Sequence, residues 1–142
     1  MMKALSLYII TLLLLLSLGS CTRNHGDIGI WFGTWHVERI TASDTTVDVE
    51  GNYFFQFQSK VFRVSLVSDH HQVVESYGTW EESEGGNKMT ISFPDPNVYY
   101  IDMPGLEEIN HFTVTKATSN DITFTKTNTT GNLYTYHLKK QP

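Results

Sequence analysis

The sequence predicts an all-β domain of about eight short antiparallel strands, arranged as a sandwich or a barrel. Apolar and polar residues alternate with period two through most of the chain after Gly33, as they do in strands with one buried face. The intervals between these runs carry residues that favour turns, namely Gly85-Gly86-Asn87, Ser119-Asn120-Asp121 and Thr130-Gly131-Asn132. No apolar stripe of helical period follows the first strand, and residues 106–109 are expected to form at most one short turn.

The predicted strands are rich in aromatic and β-branched residues, which fit a half-buried pleated surface. The first runs from Thr34 to Thr41, and the second spans residues 52–58. The others centre on Phe62, Val64 and Leu66; residues 73–80; Met89, Ile91 and Phe93; Phe112 and Val114; Ile122 and Phe124; and residues 133–138. A chain of this length with such regular turns indicates one domain, predicted over residues 33–140.

The first twenty residues predict a signal peptide that is absent from the mature protein. Lys3 precedes an apolar stretch, residues 4–18, which is shorter than the roughly 20 residues of a transmembrane helix. The stretch runs into Leu-Gly-Ser-Cys, which ends at Cys21 and resembles the lipobox of bacterial lipoproteins. That resemblance implies cleavage before Cys21 and its lipidation by several acyl chains such as palmitate, since one chain alone binds a membrane only marginally. Residues 21–32 are then a lipid-anchored tether.

The predicted location is the cell envelope, with the lipid on Cys21 as the membrane anchor. Cys21 is the only cysteine of the sequence, so it has no disulfide partner. The alternative is an ordinary secreted protein in which this cysteine is incidental. Where an Asp two residues after the cysteine retains lipoproteins at the inner membrane, Arg23 favours the outer membrane. Asp44-Thr45-Thr46 also resembles the motif at which Bacteroidetes O-glycosylate exported proteins.

Composition and motifs argue against nucleic-acid binding, catalysis and metal or other cofactors. Loss of Lys3 with the signal peptide takes the formal net charge from −5 to −6, whereas a nucleic-acid-binding surface is basic. The sequence has no nucleophile elbow, no phosphate loop and no mature-chain cysteine besides Cys21. His70-His71 is a poor metal chelate outside a turn, because neighbouring strand residues point to opposite faces. We therefore expect a protein that is not an enzyme.

The segment Gly33-Thr34-Trp35 opens the first predicted strand. A Gly-x-Trp in this place, followed by an all-β chain, resembles the lipocalins, and the layout is similar to small lipocalin-like lipoproteins of Bacteroidetes. The resemblance covers residues 33–140. It implies an antiparallel up-and-down barrel of about eight strands, in which Trp35 closes one end and packs near Lys139. Lipocalins usually place an arginine there, and this sequence offers Lys139 or Lys140 instead.

A second Gly-Thr-Trp segment, Gly78-Thr79-Trp80, follows forty-five residues after the first. The predicted barrel closure therefore involves Gly33, Trp35, Gly78 and Trp80, with Trp80 expected to matter less than Trp35. A duplicated half-barrel and a chance repeat are both compatible with the two segments.

The aromatic residues of such a barrel either fill its core or line an apolar pocket. Six of them are predicted to bind a small apolar ligand, namely Tyr53, Phe55, Phe57, Phe62, Tyr134 and Tyr136. The alternative is a structural or protein-interaction lipoprotein whose barrel is filled by side chains and holds no ligand. Residues 94–110 form a long segment with three prolines. The segment is expected either to fold over one end of the barrel, with its tyrosines plugging the core, or to form a lid or a surface that meets a protein partner, since loops of this length are often functional.

Overall fold

Nine β-strands form one antiparallel sheet within residues 29–94 and 103–142, the part of the chain that the computed structural model describes. They are β1 (Gly33–Ala42), β2 (Thr45–Thr46), β3 (Asn52–Gln58), β4 (Val61–Val67), β5 (Val73–Ser83), β6 (Lys88–Ser92), β7 (Ile109–Ala117), β8 (Asp121–Thr127) and β9 (Leu133–Lys140). From β3 onward each strand pairs with the next, and β1 pairs with both β3 and β9. Eight strands thus close an up-and-down barrel, and the two-residue β2 extends it beside β1. The predicted fold class is confirmed.

Closure of the barrel rests on the pairing of the first long strand with the last. The register runs from Trp35 opposite Lys140 to Ala42 opposite Tyr134, with one bulge between Val37 and Arg39. A bulge increases the local twist of a strand, which helps a sheet to curve back on itself. Because both edges of the eight-stranded sheet are paired, it leaves no long unpaired edge strand.

Alternate side chains of each strand point into the barrel, and most of these are large and apolar. In β3, for example, Tyr53, Phe55 and Phe57 are buried while the residues between them are more exposed. The largest fully buried side chains are Trp35, Tyr136, Phe55, Phe57, Phe62, Phe93, Phe112, Phe124, Ile40, Met89, Ile91 and Ile122. The period-two pattern of the sequence is therefore the pattern of barrel interior and exterior.

The folded part of the chain begins before the predicted boundary at residue 33. A 3-10 turn, Gly29–Trp31, precedes β1, and Trp31 is buried. The indole Nε1 of Trp31 donates a hydrogen bond to Glu82 Oε2 (2.7 Å). The end of the predicted tether thus belongs to the barrel, because Trp31 has a large apolar surface to remove from water. The predicted signal peptide, Cys21 and the rest of the tether lie outside the described residues.

The two ends of the barrel differ in the residues that form them. The base is the end with Gly33, Phe57 and Lys140, whose strand positions adjoin one another across β3, β1 and β9. The mouth is the opposite end, where β3, β4 and β5 meet at Asn52, Val67 and Val73. Among the described residues there is no helix of the length and hydropathy that crossing a membrane requires.

Candidate functional site

The base is closed by Trp35, which is 0% exposed. Its indole Nε1 donates to the carbonyl oxygen of Trp31 (3.1 Å), and Lys140 Nζ lies 4.7 Å from its ring centroid, a cation–π geometry. Lys140 Nζ also donates to the carbonyl oxygens of Ile30 and Phe32, and burial lowers the pKa of Lys140. The ammonium thus ties the 3-10 turn and the end of β9 to the tryptophan.

The basic partner of Trp35 is Lys140, whereas Lys139 was expected near it. Inward-facing residues alternate along β9, so Leu138 is buried and Lys140 is the next to face the interior. Lys139 faces outward, and its Nζ forms an ion pair with Asp121 Oδ1 (2.9 Å). Gly33 leaves room for the lysine, because a Cβ there would lie 3.1 Å from Lys140 Nζ.

The second Gly-Thr-Trp segment also faces the interior. Trp80 is 9% exposed, and its ring centroid lies 5.2 Å from that of Phe57 and 6.3 Å from that of Trp31. Gly78 lies two residues earlier on β5, where a Cβ would come 2.2 Å from the carbonyl oxygen of Ser92 on β6. The structure therefore brings Gly33, Trp35 and Trp80 together at the base, while Gly78 permits the close approach of β5 and β6.

Five of the six aromatic residues predicted to bind a ligand are connected by ring contacts inside the barrel, and the sixth, Tyr53, is buried on the same face of β3 as Phe55. Phe55, Phe57, Phe62 and Tyr136 are fully buried, Tyr53 is buried and Tyr134 is half-buried. Ring centroids lie 5.1 Å apart for Phe55 and Phe62 and 5.2 Å apart for Phe57 and Phe62. Phe55, Phe57, Phe62 and Tyr136 fill the lower and middle parts of the barrel, and Tyr134 lies toward the mouth. Their role in ligand binding stays a prediction.

The mouth is crossed by residues 103–108, which we call the mouth segment. Met103 is buried in the core, and Leu106 packs against it. Tyr136 donates its hydroxyl to the carbonyl oxygen of Pro104 (2.6 Å). Gly105 has a φ of +79°, and a Cβ there would lie 2.5 Å from Tyr134 Cγ, so the backbone rests directly on the tyrosine rings.

The mouth segment belongs to the loop, residues 94–110, that was predicted either to fold over a barrel end or to form a lid or a surface for a partner. Residues 95–102 of that loop lie outside the described part of the chain. The strand after it, β7 (Ile109–Ala117), includes Phe112 and Val114 at its middle as predicted, and its first two residues lie within the predicted loop.

A charged cluster holds the mouth segment to the barrel wall. Lys126 faces inward from β8 and is 3% exposed; its Nζ lies 2.9 Å from Glu107 Oε2 and 2.7 Å from Asn110 Oδ1. Asn110 Nδ2 donates to the carbonyl oxygens of Glu107 (2.6 Å) and Ile91 (3.3 Å). Thr129 donates its hydroxyl (2.7 Å) and its backbone N–H (3.1 Å) to Glu107 Oε1. Each polar group of the cluster is thereby paired.

The charges of this cluster balance. Hydrogen bonds from the hydroxyl of Thr129 and from Lys126 lower the pKa of Glu107 from 4.5 to about 2, so the carboxylate is charged at neutral pH. A buried ammonium without a partner costs several kcal/mol, and Glu107 supplies the opposite charge. Burial raises the pKa of Tyr136, so its phenol remains a hydrogen-bond donor.

Lys126, Glu107 and Asn110 were not predicted as functional residues from the sequence. The burial of Lys126 could have been predicted from the alternation along its strand. Ile122 and Phe124 point into the barrel, and Lys126 occupies the next inward-facing position of β8. A charged residue in an apolar phase indicates a buried partner. The identity of that partner depends on a contact 19 residues away in sequence, which no local pattern shows.

Three further features were compared with the predicted sites: a surface depression, the turn between β1 and β2, and the arrangement of residues that could ligate a metal. A depression of about 650 Å³ lies at the base end of the barrel, between the 3-10 turn, the β5–β6 hairpin and the end of β7. Asp44 lies in the tight turn between β1 and β2, and Thr45 and Thr46 are exposed, so the predicted glycosylation motif is accessible. Within the described ranges, no three His, Cys, Asp or Glu side chains lie together as metal ligands would.

An eight-stranded up-and-down barrel, closed at its base by a Gly-x-Trp and a basic residue of the last strand, defines a lipocalin-like protein. Comparison with known families agrees, since the lipocalin-like domain family matches residues 14–136. The chain belongs to the lipocalin-like domain family. The resemblance drawn from Gly33-Thr34-Trp35 is thus confirmed.

Solved structures share the fold at low sequence identity. A lipocalin-like protein from Bacteroides uniformis matches with a TM-score of 0.60 and 18% identity, over 80% of this chain and 100% of its own. An uncharacterized protein from Bacteroides eggerthii matches with a TM-score of 0.58 and 17% identity, over 78% of this chain and 99% of its own. A redesigned β-barrel matches with a TM-score of 0.50 and 17% identity, over 80% of this chain and 93% of its own. No curated protein matches the chain.

Proposed function

We propose that the protein is a lipid-anchored binding module of the bacterial cell envelope that holds a small apolar molecule at the mouth of its barrel. Lipocalin-like proteins are typically binding proteins rather than enzymes. The observation that carries the proposal is the mouth segment, which lays Met103 and Leu106 against the aromatic interior. A ligand that displaced these two side chains would find an apolar surface already shaped for a group of similar size.

The wall of the mouth is also incompletely covered. Val74 lies opposite Leu66 in the sheet, on the inward phase of β5, and is 50% exposed. Tyr134, on the far side of the mouth segment, is half-buried. Burying a side chain the size of valine stabilises a complex by roughly 1.5–3 kcal/mol, so an apolar ligand gains from covering this wall.

The proposal is tested with the neutral apolar fluorophore N-phenyl-1-naphthylamine, titrated into the chain from Thr22, which keeps every described residue of the barrel. We expect saturable binding that Val74→Lys weakens, since it places an ammonium on the mouth wall. Val61→Lys is the matched control, because Val61 is equally exposed but faces outward from β4. Absence of saturable binding by the unmutated protein, or equal loss in both variants, would contradict a site at the mouth.

The membrane anchor on Cys21 is part of the same proposal. Seven residues lie between Cys21 and Gly29, where the described chain begins at the base, and the eight Cα–Cα steps span at most about 28 Å. The base would therefore lie next to the membrane, which we propose is the outer membrane, and the mouth would face away from that membrane. Cys21→Ser should abolish labelling by a palmitate analogue and leave the precursor uncut. Label retained by this variant would refute the anchor.

A second function, docking of a protein partner at the mouth, is favoured by a different observation. Four exposed apolar side chains lie on the strand ends and turns around the mouth, namely Val49, Val73, Ile109 and Leu133. Together with the filled middle of the barrel they fit an interaction module. The same titration separates the two functions, because an interaction module with a filled barrel would not take up the fluorophore.

A further inference from the structure

We propose a second binding site on the outer wall of the barrel, where Arg39, His137 and Lys116 hold a doubly charged oxyanion, the sulfate or phosphate group of an ester. This site is separate from the mouth and does not depend on the proposed function. Its basis is one row of side chains that crosses four neighbouring strands. Lys116 of β7 pairs with Thr123 of β8, which in turn pairs with His137 of β9. His137 pairs with Arg39 of β1.

Two β-bulges flank this row. In the described part of the chain the register of the strand pairs shifts twice, between Val37 and Arg39 on β1 and between Val114 and Lys116 on β7. A bulge redirects the side chains beside it, and each of these bulges immediately precedes the basic residue at one end of the row. The row covers three interstrand spacings, at most about 14 Å, which two long basic side chains can bridge from opposite ends. Arg39 and Lys116 line one depression of about 380 Å³ together with His137.

The hydrogen bonds of His137 determine which of its ring nitrogens carries the proton. Arg39 Nη2 can only donate, so His137 Nε2, which lies 3.1 Å away, accepts. The other nitrogen, Nδ1, then carries the proton of the neutral ring and lies 3.4 Å from Thr123 Oγ1. A neutral imidazole, unlike a carboxylate, does not neutralise the guanidinium that it pairs with. The row therefore presents an uncompensated positive charge at Arg39.

The charged groups around His137 make this depression positive on an acidic protein. Three basic side chains and two acidic ones surround it, an excess of one positive charge where the whole sequence carries −5, namely Arg39, Lys116 and Lys139 against Glu38 and Asp121. The carboxylate of Asp121 is already paired with Lys139 Nζ (2.9 Å). Burial lowers the pKa of His137, and the charges of Arg39 and Lys116 lower it further, against the opposing effect of Glu38.

An anion of two charges suits this depression better than a carboxylate does. Protonation of His137 places three positive charges in one row, and these repel one another unless an anion lies between them. A tetrahedral oxyanion offers oxygens in several directions, to the planar fork of Arg39, the ammonium of Lys116 and the proton that His137 Nε2 gains. A bound dianion raises the pKa of His137, so binding and protonation favour each other. The affinity for the anion therefore rises as the pH falls.

The experiment titrates sodium sulfate into the chain from Thr22 at constant ionic strength and follows the backbone amide signal of Thr123 by NMR. Sulfate keeps both charges at the pH values used, so a change of affinity with pH reports on the protein. We expect saturable binding that is at least about fivefold tighter at about pH 5.5 than at about pH 7.5, on either side of the ordinary histidine pKa. His137→Gln should remove this pH dependence, and Arg39→Gln should weaken binding at least about fivefold at both pH values.

Two other variants of the outer wall are matched controls. Arg63→Gln removes a guanidinium of β4 that pairs with Glu75, and His111→Gln removes a histidine of β7 that bonds to Thr90. Both should bind sulfate as the unmutated protein does, with the same pH dependence. Glucose 6-sulfate and glucose 6-phosphate, compared as competitors of sulfate, identify which ester supplies the group. Absence of saturable binding, an affinity independent of pH, failure of both esters to compete, or equal loss in Arg39→Gln and Arg63→Gln would overturn the inference.

Discussion

Trp35→Ala is expected to lower the free energy of unfolding by about 3–5 kcal/mol, the range for removal of a buried aromatic side chain. Trp35 is fully buried, receives the Lys140 ammonium over its ring and is hydrogen-bonded to the carbonyl of Trp31. Its loss leaves a cavity at the base and detaches the 3-10 turn from the end of β9. A domain's total stability is about 5–15 kcal/mol, so the loss is a large share of it.

Urea unfolding followed by circular dichroism measures this effect. Trp80→Ala should cost less, since Trp80 is 9% exposed and its indole is not the one that Lys140 covers. Phe32→Ala serves as the control, because Phe32 is 57% exposed at the same end of the barrel. A midpoint for Trp35→Ala equal to that of Phe32→Ala would contradict the assignment of Trp35 as the residue that closes the base.

Gly78→Ala is the second substitution with a large expected effect, about 3 kcal/mol, at the upper end of the usual cost of overpacking. The added Cβ would lie 2.2 Å from the carbonyl oxygen of Ser92 and 3.1 Å from the ring of Phe93. The first of these is backbone, which cannot rotate away. The pairing of β5 with β6 must therefore widen at this point.

Two comparisons isolate the steric cause in the same urea experiment. Thr79→Ala alters the neighbouring outward-facing residue of β5 and should have little effect. Gly131→Ala places a Cβ that would meet no described atom within 4 Å but has a φ of +88°, so its cost is conformational, about 1–2 kcal/mol. If Gly78→Ala were no more destabilising than Gly131→Ala, close approach of β6 would not be what requires the glycine.

Most of the fold could be predicted from the sequence because each strand carries its own pattern. Residues 52–58 were predicted as a strand and form β3 without change, since three alternating aromatic residues suffice to define a buried face. Closure into a barrel was not encoded locally, and it followed from the resemblance carried by Gly33-Thr34-Trp35. The inward position of Lys140 could also have been predicted, because it continues the alternation of inward-facing residues along β9 from Tyr136 and Leu138.

The residues at the two ends of the barrel were harder to predict because their roles depend on distant contacts. Trp31 lies between the apolar residues Ile30 and Phe32, so no alternation of apolar and polar residues indicates which of the three is buried. Its burial follows from ring contacts with Phe57 and Trp80. The Lys126–Glu107 pair joins a strand to the segment between β6 and β7. Sequence alone indicated an aromatic interior, but it did not show that the rings fill the middle of the barrel or that residues 103–108 cross its mouth.

The most direct test of a ligand site at the mouth is an isotope-filtered NOESY spectrum of the isotope-labelled chain from Thr22 with N-phenyl-1-naphthylamine. We expect cross-peaks from the rings of the fluorophore to the ring protons of Tyr134 and Tyr136 and to the methyl groups of Val74, with displaced resonances for Gly105. The indole protons of Trp35 at the base should show none. Cross-peaks of the fluorophore confined to Trp35, or to the outer wall around Val61, would contradict a ligand site at the mouth.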